Sequence, residues 1–321
     1  MTNQLELIRQ ESEPRANIWA FILLAVALIA VSFAAIFIRL SETELGPNAT
    51  VFNRLIIATL IFGLWNGLGE LRLQLSPAKP LQRPRYTKLD LILLLAVGVV
   101  SSTSLALWAW SLTQTNIANS TVIRNLTPLF TGLGGWLLLG RSFDQKFLLG
   151  LVIALAGAIA LGLDDLQIAT DNLVGDAAAL LSAMFYGGNL LLVEQLRSKF
   201  PATTILLWRC FLGSLLTLPL VLTTEAQIFP HTWSGWLWVI ALALICQALG
   251  QGLVVHSLNR LSSGFVALCL LLEPLITACL AWIIFSEKLS ISDGLAFSVI
   301  FVGLYLAKSS QSTFKARQEK R

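Results

Sequence analysis

The sequence predicts an all-α membrane protein with ten transmembrane helices in two inverted five-helix repeats. Three observations indicate this class: an apolar composition, long apolar runs, and a similarity between the two halves of the chain. Of the 321 residues, 56% are hydrophobic and only 12% are charged, whereas an ordinary soluble domain carries roughly a quarter charged residues. The composition therefore excludes an ordinary soluble protein.

Apolar runs separated by polar clusters recur along nearly the whole chain. Each run approaches the roughly 20 residues that a helix needs to cross a bilayer. Breaking the chain at its polar clusters gives ten predicted spans, near 18–39, 49–68, 89–112, 119–139, 146–163, 174–195, 203–223, 233–257, 264–285 and 292–307. The first run is too long for a cleaved signal peptide, so we expect a retained helix.

The basic residues of the loops alternate between the two sides of the predicted membrane. If both termini lie on one side, the loops of that side carry seventeen Lys and Arg residues, and the opposite loops carry only Arg39 and Lys288. Cytoplasmic loops are enriched in Lys and Arg. We therefore expect a multi-pass protein of the inner cell membrane with both termini cytoplasmic. Loops around 80 and 199 should face inward, and loops around 45, 168 and 227 outward.

The two halves of the chain share residues at a nearly constant separation. A shift of 146 positions superposes Leu126 on Leu272, Pro128 on Pro274, Trp136 on Trp282 and Gly157 on Gly303, and a shift of 155 superposes Arg54 on Arg209. The predicted organisation is a cytoplasmic segment at 1–17, repeats at 18–163 and 174–307, and a basic tail at 308–321. Because five spans are an odd number, the second repeat enters the membrane upside down, as in known transporter architectures.

Polar side chains inside the spans predict a cavity between the repeats, because lipid offers them no hydrogen-bond partners. On the third span they recur at steps of three and four, which is one helical face. The candidate substrate-binding residues are Ser104, Trp108, Ser111, Arg124, Tyr186, Asn189, Gln247, Gln251 and Glu273, and the face of the third span also includes Ser101 and Thr115. For the small residues, close helix packing is the alternative interpretation.

Two ionisable residues, Arg54 and Arg209, occupy equivalent positions near the start of their helices. Their side chains could extend to the headgroups at opposite membrane faces or tie helices together. A gating or substrate-attracting role is the alternative.

Arg124 and Glu273 lie deeper, within one turn of Pro128 and Pro274. A lone charge at that depth costs roughly 3 kcal/mol or more, so we expect an ion pair in at least one conformation, with substrate or a proton competing for Glu273. Each proline should kink its helix and leave a carbonyl, that of Arg124 or Leu270, available to a ligand or water.

The cysteines and the net charge point away from other functions. Cys210, Cys246, Cys269 and Cys279 lie in apolar runs without C-x-x-C spacing, so we expect no disulfide framework, no metal and no cofactor. The formal charge of +4 follows from the basic loops, and we expect no nucleic-acid partner. The chain lacks the phosphate-binding pattern G-x-x-x-x-G-K-[ST], so ATP should not drive it directly.

Several stretches resemble the drug/metabolite transporter superfamily, in particular its EamA family. They are 175–187, Trp110-Ser111-Leu112, the stretch leading to Pro128, and Glu273-Pro274 through Trp282 with Ser286-Glu287-Lys288-Leu289. Gly140-Arg141 stands where that family often has Gly-Glu. The resemblance covers about residues 15–308 and implies a secondary transporter that exports a small polar metabolite such as an amino acid.

The expected partners are a small-molecule substrate and the lipid bilayer, and protons and a homodimer are left open. A membrane-embedded enzyme is the alternative, but the spans lack a nucleophile with its base, paired carboxylates and metal ligands. A non-transporting membrane scaffold is a further alternative, although it would not need a polar face in both repeats.

Overall fold

Helices form every regular element that the structure describes. It is a computed structural model, which describes residues 2–75, 86–115, 117–160, 173–285 and 291–310. The helices are α1 (Thr2–Ser41), α2 (Pro47–Leu75), α3 (Lys88–Gln114), α4 (Ile117–Arg124), α5 (Thr127–Leu139), α6 (Gln145–Ala160), α7 (Leu173–Leu196), α8 (Ala202–Thr224), α9 (Trp233–Ala241), α10 (Gly252–Ser257), α11 (Ser263–Leu270), α12 (Glu273–Phe285) and α13 (Ile291–Lys308). A π-helical segment, Leu242–Gln251, joins α9 to α10.

Seven helical stretches in the described residues are long and apolar enough to cross a bilayer. They are Ile18–Ser41, Pro47–Arg72, Lys88–Ser111, Leu173–Leu196, Ala202–Thr224, Trp233–Ser257 and Ser263–Ile284, and α6 and α13 add shorter apolar helices. The predicted all-helical class is confirmed. The count of ten spans stays a prediction, because the fourth predicted span is divided between α4 and α5 and α6 has only 16 described residues.

Part of the predicted topology lies outside the described residues. The loops around 80 and 168, the stretch 286–290 and the tail from 311 onward belong to this part. The predicted cytoplasmic position of the termini therefore stays a prediction.

Two helix breaks occur at positions that the repeat relates. The first separates α4 from α5 at Asn125 and Leu126, and the second separates α11 from α12 at Leu271 and Leu272. In each break one amide bonds the carbonyl three residues earlier: Leu126 N–H donates to the Ile123 carbonyl, and Leu272 N–H to the Cys269 carbonyl, both at 3.0 Å. The two bonds are 146 positions apart, the shift that relates the halves.

Equivalent helices of the two halves pack against each other in antiparallel orientation. A Cβ on Gly150 of α6 would lie 2.5 Å from the Gly303 carbonyl oxygen of α13, and one on Gly157 would lie 2.9 Å from the Ile300 nitrogen. Residue numbers thus rise along α6 as they fall along α13. The same holds for α2 and α8, where contacts join residue 66 to 203 and residue 48 to 224.

The remaining helix contacts repeat when the halves are exchanged. α3 packs on α7 and α8, and the π-helical segment packs on α1 and α2. The broken pair α4 and α5 contacts α7, as the broken pair α11 and α12 contacts α1. The described helices other than α6 and α13 therefore surround one central space, and α6 and α13 pair beside it.

Two sets of polar contacts join helix ends of the two halves at equivalent places. We name the first set the Glu44 clasp. The Glu44 carboxylate accepts hydrogen bonds from the amides of His231 and Thr232 and from the Thr232 hydroxyl, the last at 2.6 Å. Beside it, Asn48 N–H donates to the Glu225 carboxylate at 3.0 Å. Thr232 is the N-cap of α9. Each acid thus lies at the positive N-terminus of a helix, which stabilises it.

The second contact, the Lys199 clasp, joins the connection between α7 and α8 to the start of α3. The Lys199 ammonium pairs with the Asp90 carboxylate. Asp90 also accepts from the amide and hydroxyl of Thr87, the N-cap of α3, both at 2.7 Å. Lys199 is 155 positions after Glu44, and Thr87 and Thr232 are both N-caps. The two clasps therefore occupy equivalent places in the two halves.

The Glu44 clasp should weaken in acid. The Thr232 hydroxyl, and to a smaller extent the amides of His231 and Thr232, hold the pKa of Glu44 below its ordinary value of 4.5. A folded pKa below the unfolded one stabilises the fold above the unfolded pKa, and this contribution is lost as the pH falls through the folded pKa. We predict that Glu44→Gln lowers the melting temperature at pH 7 and makes it less sensitive to acidification below about pH 5.

Melting of the detergent-solubilised protein across this pH range measures the effect. Glu42→Gln is the matched control, because burial raises the pKa of Glu42, so its substitution should change the pH dependence in the opposite direction. The prediction would be contradicted if the melting temperatures of the wild type and Glu44→Gln fell in parallel as the pH is lowered.

Candidate functional site

The space at the centre of the helices is a cavity of about 630 Å³, within the usual range for small-molecule sites. Its lining comes from α1, α2, α3, α4, α5, α7, α8, the π-helical segment, α11 and α12. Both halves of the chain therefore contribute. Among the described residues, none from α6 or α13 lines it.

The cavity brings together most of the residues singled out in the sequence. Those that line it are Arg54, Ser104, Trp108, Arg124, Pro128, Tyr186, Arg209, Gln247, Gln251, Glu273 and Pro274. Ser111 and Asn189 are fully buried and do not line it. Ser111 bonds the Ser120 hydroxyl at 2.6 Å, which ties α3 to α4. The cavity gives no support to substrate contact by these two residues.

Arg54 and Arg209 extend into the cavity rather than toward opposite headgroup layers. Arg54 Nε donates to Gln247 Oε1 at 2.8 Å, and Arg209 Nη1 donates to Gln251 Oε1 at 3.1 Å. Gln247 and Gln251 lie four residues apart in the π-helical segment and are nearly fully buried. The contacts therefore agree with the expected tie between helices, because amide oxygens of one helix hold both guanidinium groups inward, and a gating or substrate-attracting role stays a prediction.

Arg124 lies between two aromatic rings. Its guanidinium carbon is 4.4 Å from the Trp108 ring centroid and 5.3 Å from that of Tyr186, and Nη1 donates to the Ser182 hydroxyl at 3.1 Å. A guanidinium within about 6 Å of a ring centroid makes a favourable cation–π contact. Ser182 is fixed in turn, because Ser104 and Ser182 exchange hydroxyl-to-carbonyl bonds of 2.9 and 2.8 Å.

Glu273 lines the same cavity but forms no ion pair with Arg124 in the described contacts. Both side chains line the cavity without a direct contact between them among the described contacts. The predicted ion pair is absent from this conformation, and its formation in another conformation stays a prediction. Arg124 is the last residue of α4 and Glu273 the first of α12, so both charges complement the dipoles of their helices.

The two prolines sit at helix starts, directly after the two breaks. Pro128 is the second residue of α5 and Pro274 the second of α12, a region where the missing amide proton costs little. The Arg124 carbonyl already has a partner, because the Thr127 hydroxyl donates to it at 2.8 Å. The expectation that the Arg124 carbonyl lacks a partner is thus wrong, because the chain caps it locally, whereas a kink at each proline stays a prediction.

Three polar residues near the first break line the cavity but were missing from the candidates: Thr121, Asn125 and Thr127. Asn125 lies in the break itself, next to Arg124. An amide side chain at the centre of a predicted span was a usable signal. The apolar part of the lining, which includes Val31, Ala34 and Ile38 of α1, gives no such signal.

A buried ion pair outside the cavity lining joins helices that form the site. Arg141 donates twice to the carboxylate of Glu194, at 2.8 and 2.6 Å, and Glu194 also accepts from Ser263 N–H at the start of α11. Glu194 is fully buried. These contacts link the segment after α5, helix α7 and the start of α11 through one carboxylate.

Comparison with known proteins agrees with this architecture. An uncharacterized transporter of Archaeoglobus fulgidus is 22% identical over 300 residues, which is 90% of this chain and 97% of that protein. The pseudopaline exporter of Pseudomonas aeruginosa is 22% identical over 219 residues, 67% of this chain and 75% of that protein. A crystal structure of 17% identity superposes with a TM-score of 0.75 over 91% of this chain and 98% of that chain. The model of the EamA-like transporter family matches residues 18–163 and 173–308.

The aromatic contacts of Arg124 should be measurable as a coupling energy. We predict that Trp108→Leu lowers the free energy of unfolding by about 1 to 2 kcal/mol more in the wild type than in the Arg124→Gln variant. The reason is that the substitution removes the cation–π contact from the wild type, whereas Arg124→Gln has already lost it. Denaturant unfolding in detergent, followed by circular dichroism, measures the four variants of this cycle. Trp136→Leu is the control, since Trp136 is largely exposed on the outer surface and should show no coupling to Arg124. Purely additive effects of Trp108 and Arg124 would contradict the assignment.

Proposed function

Because this chain belongs to the EamA-like transporter family, we propose that it is a secondary transporter of the inner cell membrane that exports a small polar metabolite such as an amino acid. The central cavity carries this proposal. It has the volume of a metabolite site, and polar and charged side chains of both halves line it. In transporters built from inverted repeats, the substrate binds where the halves meet.

Ten transmembrane spans in two inverted repeats, 18–163 and 174–307, are part of the proposal. The antiparallel packing of α2 on α8 and of α6 on α13 supports it, since an inverted repeat places equivalent helices in opposite directions. The broken pairs α4 with α5 and α11 with α12 each count as one span, and α9 to α10 count as one. Cytoplasmic termini follow from the distribution of basic residues.

The proposed substrate contacts are the side chains of the cavity lining. Arg54, Arg124 and Arg209 supply N–H donors, Gln247 and Gln251 supply amides, and Trp108 and Tyr186 supply apolar surface with a polar tip. Ser104 acts on the site through Ser182, which holds Arg124.

Alternating access between the halves is the proposed mechanism, and the two clasps are its proposed gates. Each clasp joins a connection between two helices of one half to the start of a helix in the other half. They occupy equivalent places in antiparallel halves, so they lie at opposite ends of the cavity. Opening one end requires one clasp to separate while the other stays closed.

A membrane-embedded enzyme remains the alternative class. The cavity lining contains three arginines and one carboxylate, and hydrolytic or metal-dependent catalysis needs a nucleophile with a base, paired carboxylates or metal ligands. No observation favours this alternative over transport.

Counterflow in proteoliposomes tests the proposed activity. Vesicles that contain only the purified protein, loaded with unlabelled amino acids, should accumulate labelled amino acids from outside. Arg209→Gln should reduce the initial rate because it alters the cavity, whereas Trp136→Leu, on the outer surface, should not. The proposal would be contradicted if the vesicles exchanged none of a broad panel of amino acids and organic acids.

Crosslinking tests the gates. The variant pair is Glu44→Cys with Thr232→Cys, in a protein without the native cysteines. We predict that a cleavable thiol crosslinker between them stops substrate exchange, because the closed clasp blocks one opening of the cavity. Reduction of the crosslinker should restore the exchange. The pair Asp90→Cys and Lys199→Cys should behave in the same way. Single-cysteine variants treated with the reagent control for modification alone. Full exchange by a protein crosslinked at either clasp would refute a gating role.

A further inference from the structure

The charges that line the cavity are unbalanced. Arg54, Arg124 and Arg209 supply three guanidinium groups, Glu273 supplies one carboxylate, and no other described lining residue is charged. The cavity therefore has a formal net charge of plus two. Arginine keeps its charge in proteins, since its pKa is above the physiological range.

Neutral groups hold all three arginines. Arg54 and Arg209 each donate to a glutamine oxygen, and Arg124 donates to a serine hydroxyl and stacks between aromatic rings. No ion pair joins any of them to an acid among the described contacts. A guanidinium has five N–H donors, so most of these donors stay available.

The arrangement of the donors favours a ligand with more than one acid group. Gln247 and Gln251 are one helical turn apart, so the two arginines that they hold present donors at neighbouring positions of one wall. Arg124 belongs to a separate group, at the end of α4 with Trp108 and Tyr186. Guanidinium groups bind carboxylates and phosphates through paired N–H donors. The cavity thus offers two separate anion-binding positions.

The carboxylate of Glu273 favours a positively charged group on the ligand. This carboxylate lines the same cavity and forms no hydrogen bond or ion pair in the described part of the chain, although the main-chain carbonyl of Glu273 accepts from Ser32 at 3.2 Å. A carboxylate without a partner at the N-terminus of α12 is suited to an ammonium group of the ligand.

We infer that the transported metabolite is an acidic amino acid derivative, a small molecule with at least two acid groups and one amine. This inference rests on the proposed function and narrows its substrate class. Two acid groups bind the Arg54–Arg209 wall and Arg124, and the ammonium group binds Glu273. The excess positive charge of the cavity lining, which is costly in a low-dielectric surrounding, is reduced when such a ligand binds.

Thermal stabilisation of the purified protein tests the inference, because a ligand that binds only the folded state raises its melting temperature. The probes are aspartate, glutamate, succinate, alanine, leucine and lysine at constant ionic strength, with inorganic phosphate and sulfate as simple anions. Aspartate or glutamate should stabilise the protein at concentrations at which alanine, leucine and lysine do not. Stabilisation by phosphate or sulfate equal to that by aspartate and glutamate would overturn the requirement for a carboxylated amine.

Variants assign the contacts. Arg54→Gln, Arg124→Gln and Arg209→Gln should each weaken binding of the diacid amino acid by about tenfold or more, the effect of losing a charged hydrogen bond. The control is Arg260→Gln, since Arg260 is exposed and outside the cavity. Glu273→Gln should weaken binding of aspartate but strengthen that of succinate, which lacks the amine.

The outcomes separate this inference from the proposed function. Selective binding and counterflow of alanine, leucine or lysine would overturn the inference and leave transport intact. Diacid binding that depends on the three arginines, without counterflow of any compound, would support the ligand class of the cavity while contradicting transport. Two further results would overturn the inference. One is that aspartate or glutamate stabilises the arginine variants as much as Arg260→Gln. The other is that no probe with two acid groups stabilises the protein.

Discussion

The cost of placing an ionised side chain in hydrocarbon governs the arrangement of this protein. In the part of the chain that the structure describes, Arg54, Arg124, Arg209 and Glu273 lie well inside apolar helices, and all four line one cavity. Lipid offers no partner to a guanidinium or a carboxylate, so the helices that carry these groups must face each other. α6 and α13 contribute no described residue to the lining and pack together through Gly150 and Gly303 instead. The polar centre and its outer brace thus follow from one constraint.

The helix breaks make the charges of the cavity easier to accommodate. A continuous helix has no exposed dipole end along its length, whereas the breaks create two C-termini and two N-termini beside the cavity. Arg124 ends α4 and Glu273 begins α12, so each charge meets a helix end of opposite sign. The prolines at 128 and 274 maintain the breaks, because neither can donate to the preceding turn. Local chemistry therefore positions both charges before any ligand binds.

The sequence predicted the features that depend on local pattern. Apolar runs and matched prolines identified the helices and the 146-residue shift, and the spacing of Ser104 and Trp108 identified a face that lines the cavity. Features that depend on distant contacts were missed. The partners of Arg54 and Arg209 lie in a π-helical segment that no pattern indicated, and the capping of the Arg124 carbonyl by Thr127 needs the three-dimensional break. Apolar lining residues look the same as lipid-facing ones in sequence.

The central claim is that the cavity opens in turn to each side of the membrane. Accessibility of Ser101→Cys measures this most directly, because Ser101 lines the cavity and is only partly buried. The background replaces Cys279, while Cys210, Cys246 and Cys269 are buried. A membrane-impermeant thiol reagent should modify this cysteine when added from the outside of oriented vesicles and also when trapped inside, and a bound substrate should slow both reactions. Modification from one side only, or from neither, would contradict the account.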